Sequence, residues 1–182
     1  MPQKTFIALL RGINVGGRNK IPMSELRSLC TALGWADVET YIQSGNLLFK
    51  TDAKPARLEE QLESAIARQF RLSIHTIVRA AADWPAYVES NPFPEASVNE
   101  PNAVMLALSK APPKKDAVEK LTERAVHGER IIQVEDALWI HFTKGVADSK
   151  LSPAVLDRLV GSPVTMRNWR TVVKLQELAT LR

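Results

Sequence analysis

Two stretches of the chain show the same order of hydrophobic periods, and that order leaves few folds open. In the first, Lys4–Leu10 is an apolar run that reads as a buried strand ending in a glycine-rich segment. Pro22 marks a helix start, Met23, Leu26, Cys30 and Leu33 follow at helical spacing, and Gly34 stops the helix. Residues 38–42 and Asn46–Thr51 alternate as strands around Gln43-Ser44-Gly45, which predicts a hairpin. Leu58, Leu62, Ile66 and Phe70 recur every four residues, an amphipathic helix, and residues 72–79 form a β-branched strand. The product is βαββαβ, the ferredoxin-like plan.

The second half repeats the order without repeating the letters. Residues 103–108 read as a strand, and Val118, Leu121 and Ala125 as a helix stripe. Arg130–Val134 and residues 138–142 form a hairpin around Glu135-Asp136-Ala137. Ser152 caps a helix with Pro153 in its first turn and Gly161 at its end. A short strand, 164–167, precedes a last helix from Asn168. The expected fold class is α+β: two ferredoxin-like βαββαβ units in tandem with an extra C-terminal helix. The first unit is expected over residues 1–90, a Pro-punctuated connector over 91–101, and the second unit with the terminal helix over 102–182. The two units are expected side by side, sharing a sheet or a packing face.

The 182 residues are 45% hydrophobic and 24% charged, which suits a globular protein with a sizeable core and leaves little room for long disorder. The early apolar run Phe6 to Leu10 spans five residues, against about 20 for a membrane-crossing helix. No membrane partner is expected, and the chain reads as cytoplasmic. Cys30, the single cysteine, excludes an internal disulfide and sits on a helix stripe as a core residue. Net charge is only +4, but it is unevenly placed. Residues 1–20 hold four bases and no acid, and residues 144–182 hold seven bases against three acids. If these ends meet in space they make one positive surface.

The most unusual segment is Arg11-Gly12-Ile13-Asn14-Val15-Gly16-Gly17-Arg18-Asn19-Lys20, which holds three of the chain's eight glycines. Glycine admits positive φ and close backbone approach, and a following helix start with flanking bases favours an anion. The expected ligand site comprises Arg11, Asn14, Gly16, Gly17 and Lys20. Gln43, Ser44 and Asn46 of the hairpin add amides and a hydroxyl, and Lys150 and Arg167 add charge from the other end of the chain. The segment fits neither G-x-x-x-x-G-K-[ST] nor a dinucleotide fingerprint, and the plainer alternative is a sharp strand-to-helix bend.

Catalytic sets are missing. His75, His127 and His141 are widely spaced with no Glu or Cys at ligand spacing, so no metal site is expected. His75 and His141 fall in strand patterns and read as half-exposed sheet residues. Glu59-Glu60 reads as a solvated helix face, and Trp169 as a core residue beside an Asn168 cap. No cofactor is expected. The favoured function is a binding module for a phosphate-bearing small molecule or nucleic acid. Alternatives are an enzyme on a small anionic metabolite or a protein-interaction scaffold, and whether the chain is an enzyme stays open, as does its oligomeric state.

The blocks 8–17, Met23 with Leu26-Arg27, and Thr40 to Asn46 with Phe49 resemble the domain of unknown function 1697 family. Asn91-Pro92-Phe93, Ser149-Lys150-Leu151, and Arg167-Asn168-Trp169 with Thr171 and Lys174-Leu175 resemble its later blocks. The resemblance implies a small bacterial cytoplasmic protein and brings no catalytic residue with it. Two departures stand out. Gly145-Val146-Ala147-Asp148 replaces a Gly-x-Gly-like stretch before Ser-Lys-Leu, and Arg170 stands where a small polar residue is common.

Overall fold

The apolar run that opens the chain becomes β1 (Lys4–Leu10), the strand on which the first unit is built. The computed structural model describes residues 3–182. After β1 come α1 (Met23–Ala32), β2 (Ala36–Tyr41), β3 (Asn46–Thr51), α2 (Pro55–Phe70) and β4 (Thr76–Ala80). A 3-10 turn (Ala81–Asp83) and two short helices, α3 (Trp84–Glu89) and α4 (Pro94–Asn99), follow. The order then recurs as β5 (Val104–Ser109), α5 (Ala117–Arg124), β6 (Arg130–Val134), β7 (Ala137–His141), α6 (Pro153–Val160) and β8 (Val164–Asn168), with α7 (Trp169–Thr180) at the end.

There are two separate four-stranded sheets, not one shared sheet, ordered β2-β3-β1-β4 and β6-β7-β5-β8. Every pairing is antiparallel. Phe6 and Ala8 lie opposite Phe49 and Leu47 on one side of β1, and Ala8 lies opposite Val78 on the other. In the second sheet Leu106 faces Trp139 on β7 and Arg167 on β8. Each sheet is the split βαβ arrangement expected of a ferredoxin-like unit, so the α+β tandem fold stands. One compact unit runs to Pro85 and includes Leu175–Arg182; the other is Ala86–Lys174.

The helix-facing side of the first sheet carries Phe6, Ala8, Leu10, Leu47, Phe49 and Val78 against Leu26, Cys30, Leu58, Leu62 and Ile66. Trp35 stacks on Phe49 with ring centroids 4.0 Å apart, a contact worth about 0.5–1.5 kcal/mol beyond its area. The opposite face is buried as well: Ile7, Leu9, Leu48 and Ile77 are each at most 2% exposed. Burial on both faces is why β1 reads as an unbroken apolar run and not as an alternation. In the second unit Ala107, Leu138 and Ile140 pack with Leu121, Leu156 and Val160, while Leu106, Leu108 and Trp139 are buried on the other face.

Three local expectations shift. The strand expected over 72–79 begins only at Thr76, because Arg71 closes α2 in the left-handed region (φ 58) and residues 72–75 lead back to the sheet. Glu60 is exposed as expected, but Glu59 is half-buried: its carboxylate accepts Val78 N at 2.9 Å, and Glu63 accepts Thr76 N at 2.7 Å. One turn apart on α2, these two acids satisfy amides on the open edge of β4, groups that must find acceptors once partly buried. His141 is buried rather than half-exposed, at 8%. The expected caps are present: Val155 N donates to Ser152 Oγ, Gly161 closes α6 at φ 100, and Thr171 N donates to Asn168 Oδ1. Trp169 packs on Trp139, with centroids 5.8 Å apart.

Cys30 is fully buried on α1, and that burial pushes its thiol pKa up to about 12. The thiolate is the reactive form. A disulfide reagent at neutral pH should therefore label Cys30 only as fast as the protein opens, and immediately in denaturant. Rapid labelling of the folded chain would contradict this packing.

Candidate functional site

The glycine segment folds on itself. Leu10 N donates to Gly45 O (2.8 Å) and Arg11 N to His75 O (2.9 Å), so the chain leaves β1 still tied to its neighbours. Asn14 N then donates to Asn19 O, and Arg18 N to Val15 O. Between them Gly16 and Gly17 both take positive φ, 58° and 75°. Two such residues make the tight turn whose twist suits a hairpin, and only glycine adopts it without strain. The hairpin places residues 18–22 between the two glycines and α1, so the glycine amides sit at the hairpin tip and not at the start of a helix. Pro22 precedes α1 with no side-chain cap.

Two asparagines hold this hairpin. Asn14 Nδ2 donates to Ile21 O (3.0 Å) and to Gln43 O (2.9 Å), while its Oδ1 accepts Ile21 N (2.8 Å). Asn19 Nδ2 donates to Gly12 O at 3.0 Å. Both asparagines have positive φ, 54° and 48°, a region that Asn tolerates better than most residues. Asn14 therefore joins the glycine hairpin to the turn 42–45, and the first unit carries them as one platform at the end of its sheet.

Within that platform the expected residues differ in role. Gly16, Gly17, Lys20 and Gln43 are exposed, as is Arg18, which the sequence reading left out. Arg11, Asn14 and Ser44 are half-buried. Asn46 is wholly buried, and its amide donates to Tyr41 O (3.1 Å) and Ser44 Oγ (3.0 Å), which shapes the turn from within. Gly45 has no room for a side chain: an added Cβ would stand 2.7 Å from Leu10 Cβ and 2.9 Å from Ile13 Cδ1, at a φ of 84°.

Lys150 and Arg167 belong to the second unit. Arg167 is buried on β8 and donates to Thr165 Oγ1 (2.8 Å) and Met166 O (2.9 Å); burial brings its guanidinium down to about 10. Lys150 is exposed, and its loop is fixed by a residue the sequence reading did not single out. Glu129, 6% exposed, accepts Ser149 Oγ at 2.5 Å and His127 N at 2.9 Å, and Ser149 Oγ in turn accepts Leu151 N. Burial raises the Glu129 pKa, but the hydrogen bonds from Ser149 and from backbone amides outweigh it and hold the carboxyl below its usual value. Among the described residues no group of three or more His, Cys, Asp or Glu side chains is placed to hold a metal, and no helix is long and apolar enough to cross a membrane.

Two measurements follow. Gly45→Ala combines left-handed strain with overpacking and should lower stability by about 2–4 kcal/mol in urea unfolding. Glu129 is depressed in the folded state, so its contribution is present above the unfolded value near 4.5 and lost as pH falls through the folded one. The stability difference between wild type and Glu129→Gln should be greatest near neutrality and shrink as pH drops below about 4.5. A difference that is flat across that range would show that the Glu129 charge does not hold the Ser149 loop.

No curated protein matches the chain. Among solved structures it is similar to a conserved bacterial protein from Streptococcus pneumoniae, with 27% identity, a TM-score of 0.70, and coverage of 98% of this chain and 99% of that one. The profile of the family described as "Protein of unknown function (DUF1697)" matches residues 3–139, from the first strand through the glycine hairpin to β7. The chain is a member of the DUF1697 family.

Proposed function

We propose that the chain is a binding module for a phosphate-bearing ligand, a nucleotide or a nucleic acid segment, seated on the hairpin 14–19 and the adjoining Gln43-Ser44 turn. The observation that supports this most is the Asn14 tie, which spends three hydrogen bonds to keep an exposed hairpin in place. Exposed glycine backbone at its tip allows close approach, and Arg18 and Lys20 supply positive charge in a stretch of twenty residues that has no acid. Exposed Gln43 offers both a donor and an acceptor to a base or sugar edge. The sheet itself is a poor platform for stacking bases, since the central strands are buried on both faces. Recognition therefore falls to the loops at the strand ends.

Thermal melting with inorganic phosphate, mono- and trinucleotides and a short oligonucleotide, all at matched ionic strength, tests it. A ligand at a hundred times its Kd adds about 2.7 kcal/mol to the folded state. The melting temperature of wild type should rise, while Arg18→Ala and Lys20→Ala, both exposed positions, should lose most of that rise. If no phosphate-bearing compound stabilises wild type more than these variants, the hairpin is a turn and nothing else.

A further inference from the structure

The second unit contains a cleft of about 370 Å³ between the Pro92-Phe93-Pro94 segment with α4 on one side and β6 and β7 on the other. It is small for a ligand site but within the range such sites occupy. Asn91 shapes one wall: its Oδ1 accepts Phe93 N (2.9 Å) and its Nδ2 donates to Ser97 Oγ (2.7 Å). This turn sets the Phe93 ring inward, 2% exposed, and the Arg130 guanidinium lies over that ring, 4.9 Å from its centroid. Arg130 forms no ion pair among the described residues. A guanidinium held against an aromatic face keeps its N–H edge for an oxyanion and has lost part of the rotamer freedom that binding would otherwise cost.

The opposite chemistry faces it. His141 Nε2 is 2.8 Å from Glu100 Oε2, while the Glu100 side chain is still 54% exposed. With Nε2–H donating to that carboxylate, a neutral ring leaves Nδ1 as a bare acceptor. Nδ1 is buried and has no hydrogen-bond partner, an uncommon state for a buried nitrogen and one that calls for an explanation. Glu95 and Asn99 complete the polar lining. One cation therefore shares the lining of this cleft with two carboxylates, Glu95 and Glu100. That set repels a phosphate dianion, and buried Phe93 leaves no aromatic face on which to stack a base.

We propose that this cleft binds a small zwitterion of the free amino-acid class, with its carboxylate on Arg130 and its ammonium on Glu100 and Glu95 beside His141. The site is separate from the glycine hairpin and does not depend on the phosphate reading. The full chain, labelled for NMR, is titrated with a panel of free amino acids, with acetate and methylammonium as half-ligands at equal ionic strength. At least one amino acid should shift the His141 ring and Arg130 side-chain signals, and both half-ligands should bind far more weakly. Glu100→Gln keeps an acceptor for His141 Nε2–H, and Arg130→Gln removes the charge together with the guanidinium that lies over Phe93; each should weaken binding about tenfold or more, a loss of about 1.4 kcal/mol. Circular dichroism melts show whether each variant folds, and Arg130→Met, which keeps an apolar stem over Phe93, replaces Arg130→Gln if that variant does not. No response to any amino acid at roughly 10 mM, a concentration that would reveal even millimolar binding, overturns the proposal. So does binding that both substitutions leave unchanged.

Discussion

A strand that is apolar on both faces and paired on both edges has nowhere to display chemistry except its ends. β1 and β5 are such strands, and the architecture follows from them. Each must be flanked by two others, and a fourth strand, β2 or β6, extends each sheet beyond β3 or β7. Each sheet then has two outer strands whose outward amides need acceptors. On β4 these are supplied by Glu59 and Glu63 of α2, and on β8 Asp157 of α6 accepts Val164 N at 2.9 Å. The same solution, a carboxylate from the second crossover helix of the unit, appears twice in sequences with no evident likeness. Geometry demands it, because that helix packs beside the last strand in both units.

The first outer strand is treated differently. In β2 the register with β3 shifts between Ala36 and Glu39, with Asp37 at a φ of 48°, a bulge that bends the edge. Lys50 pairs with Asp37 at 2.7 Å and keeps its carboxyl below the usual range. Arg182 donates to Glu39 Oε2 (2.5 Å) and to the Asp37 carbonyl. A bent, charged edge is a poor template for pairing with another chain.

How far these features could be read beforehand depends on whether their signal is local. The order of strands and helices was legible because it is a matter of period, and the caps at Ser152, Gly161 and Asn168 because they are a matter of neighbours. Cys30 was placed by its helix stripe. The glycine segment was conspicuous, yet its shape was not, since glycines before a helix suit both a phosphate cradle and a hairpin. What decides is Asn14 and Asn19 in the left-handed region, and their partners lie up to 29 residues away. Leu72 to His75 had the composition of a strand, but the left-handed Arg71 delays pairing until Thr76. Glu59 looked like a solvated acid because its partner is an amide on another element, and Glu129 drew no notice because its partners include a hydroxyl twenty residues away. The cleft around Arg130 was invisible for the same reason: Phe93, Glu100, Arg130 and His141 become neighbours only through tertiary structure.

The chain starts one unit, builds another, and then returns to the first, since Leu175–Arg182 belongs with the residues up to Pro85. On a ribosome this imposes an order of events. All of Ala86–Lys174 is synthesised between the opening of the first unit and its completion, an interval of roughly 5–20 s at ordinary elongation rates. Until then the β2 edge stands without Arg182, although all four strands of its sheet have already been made. The unit that begins first is therefore the one that finishes last.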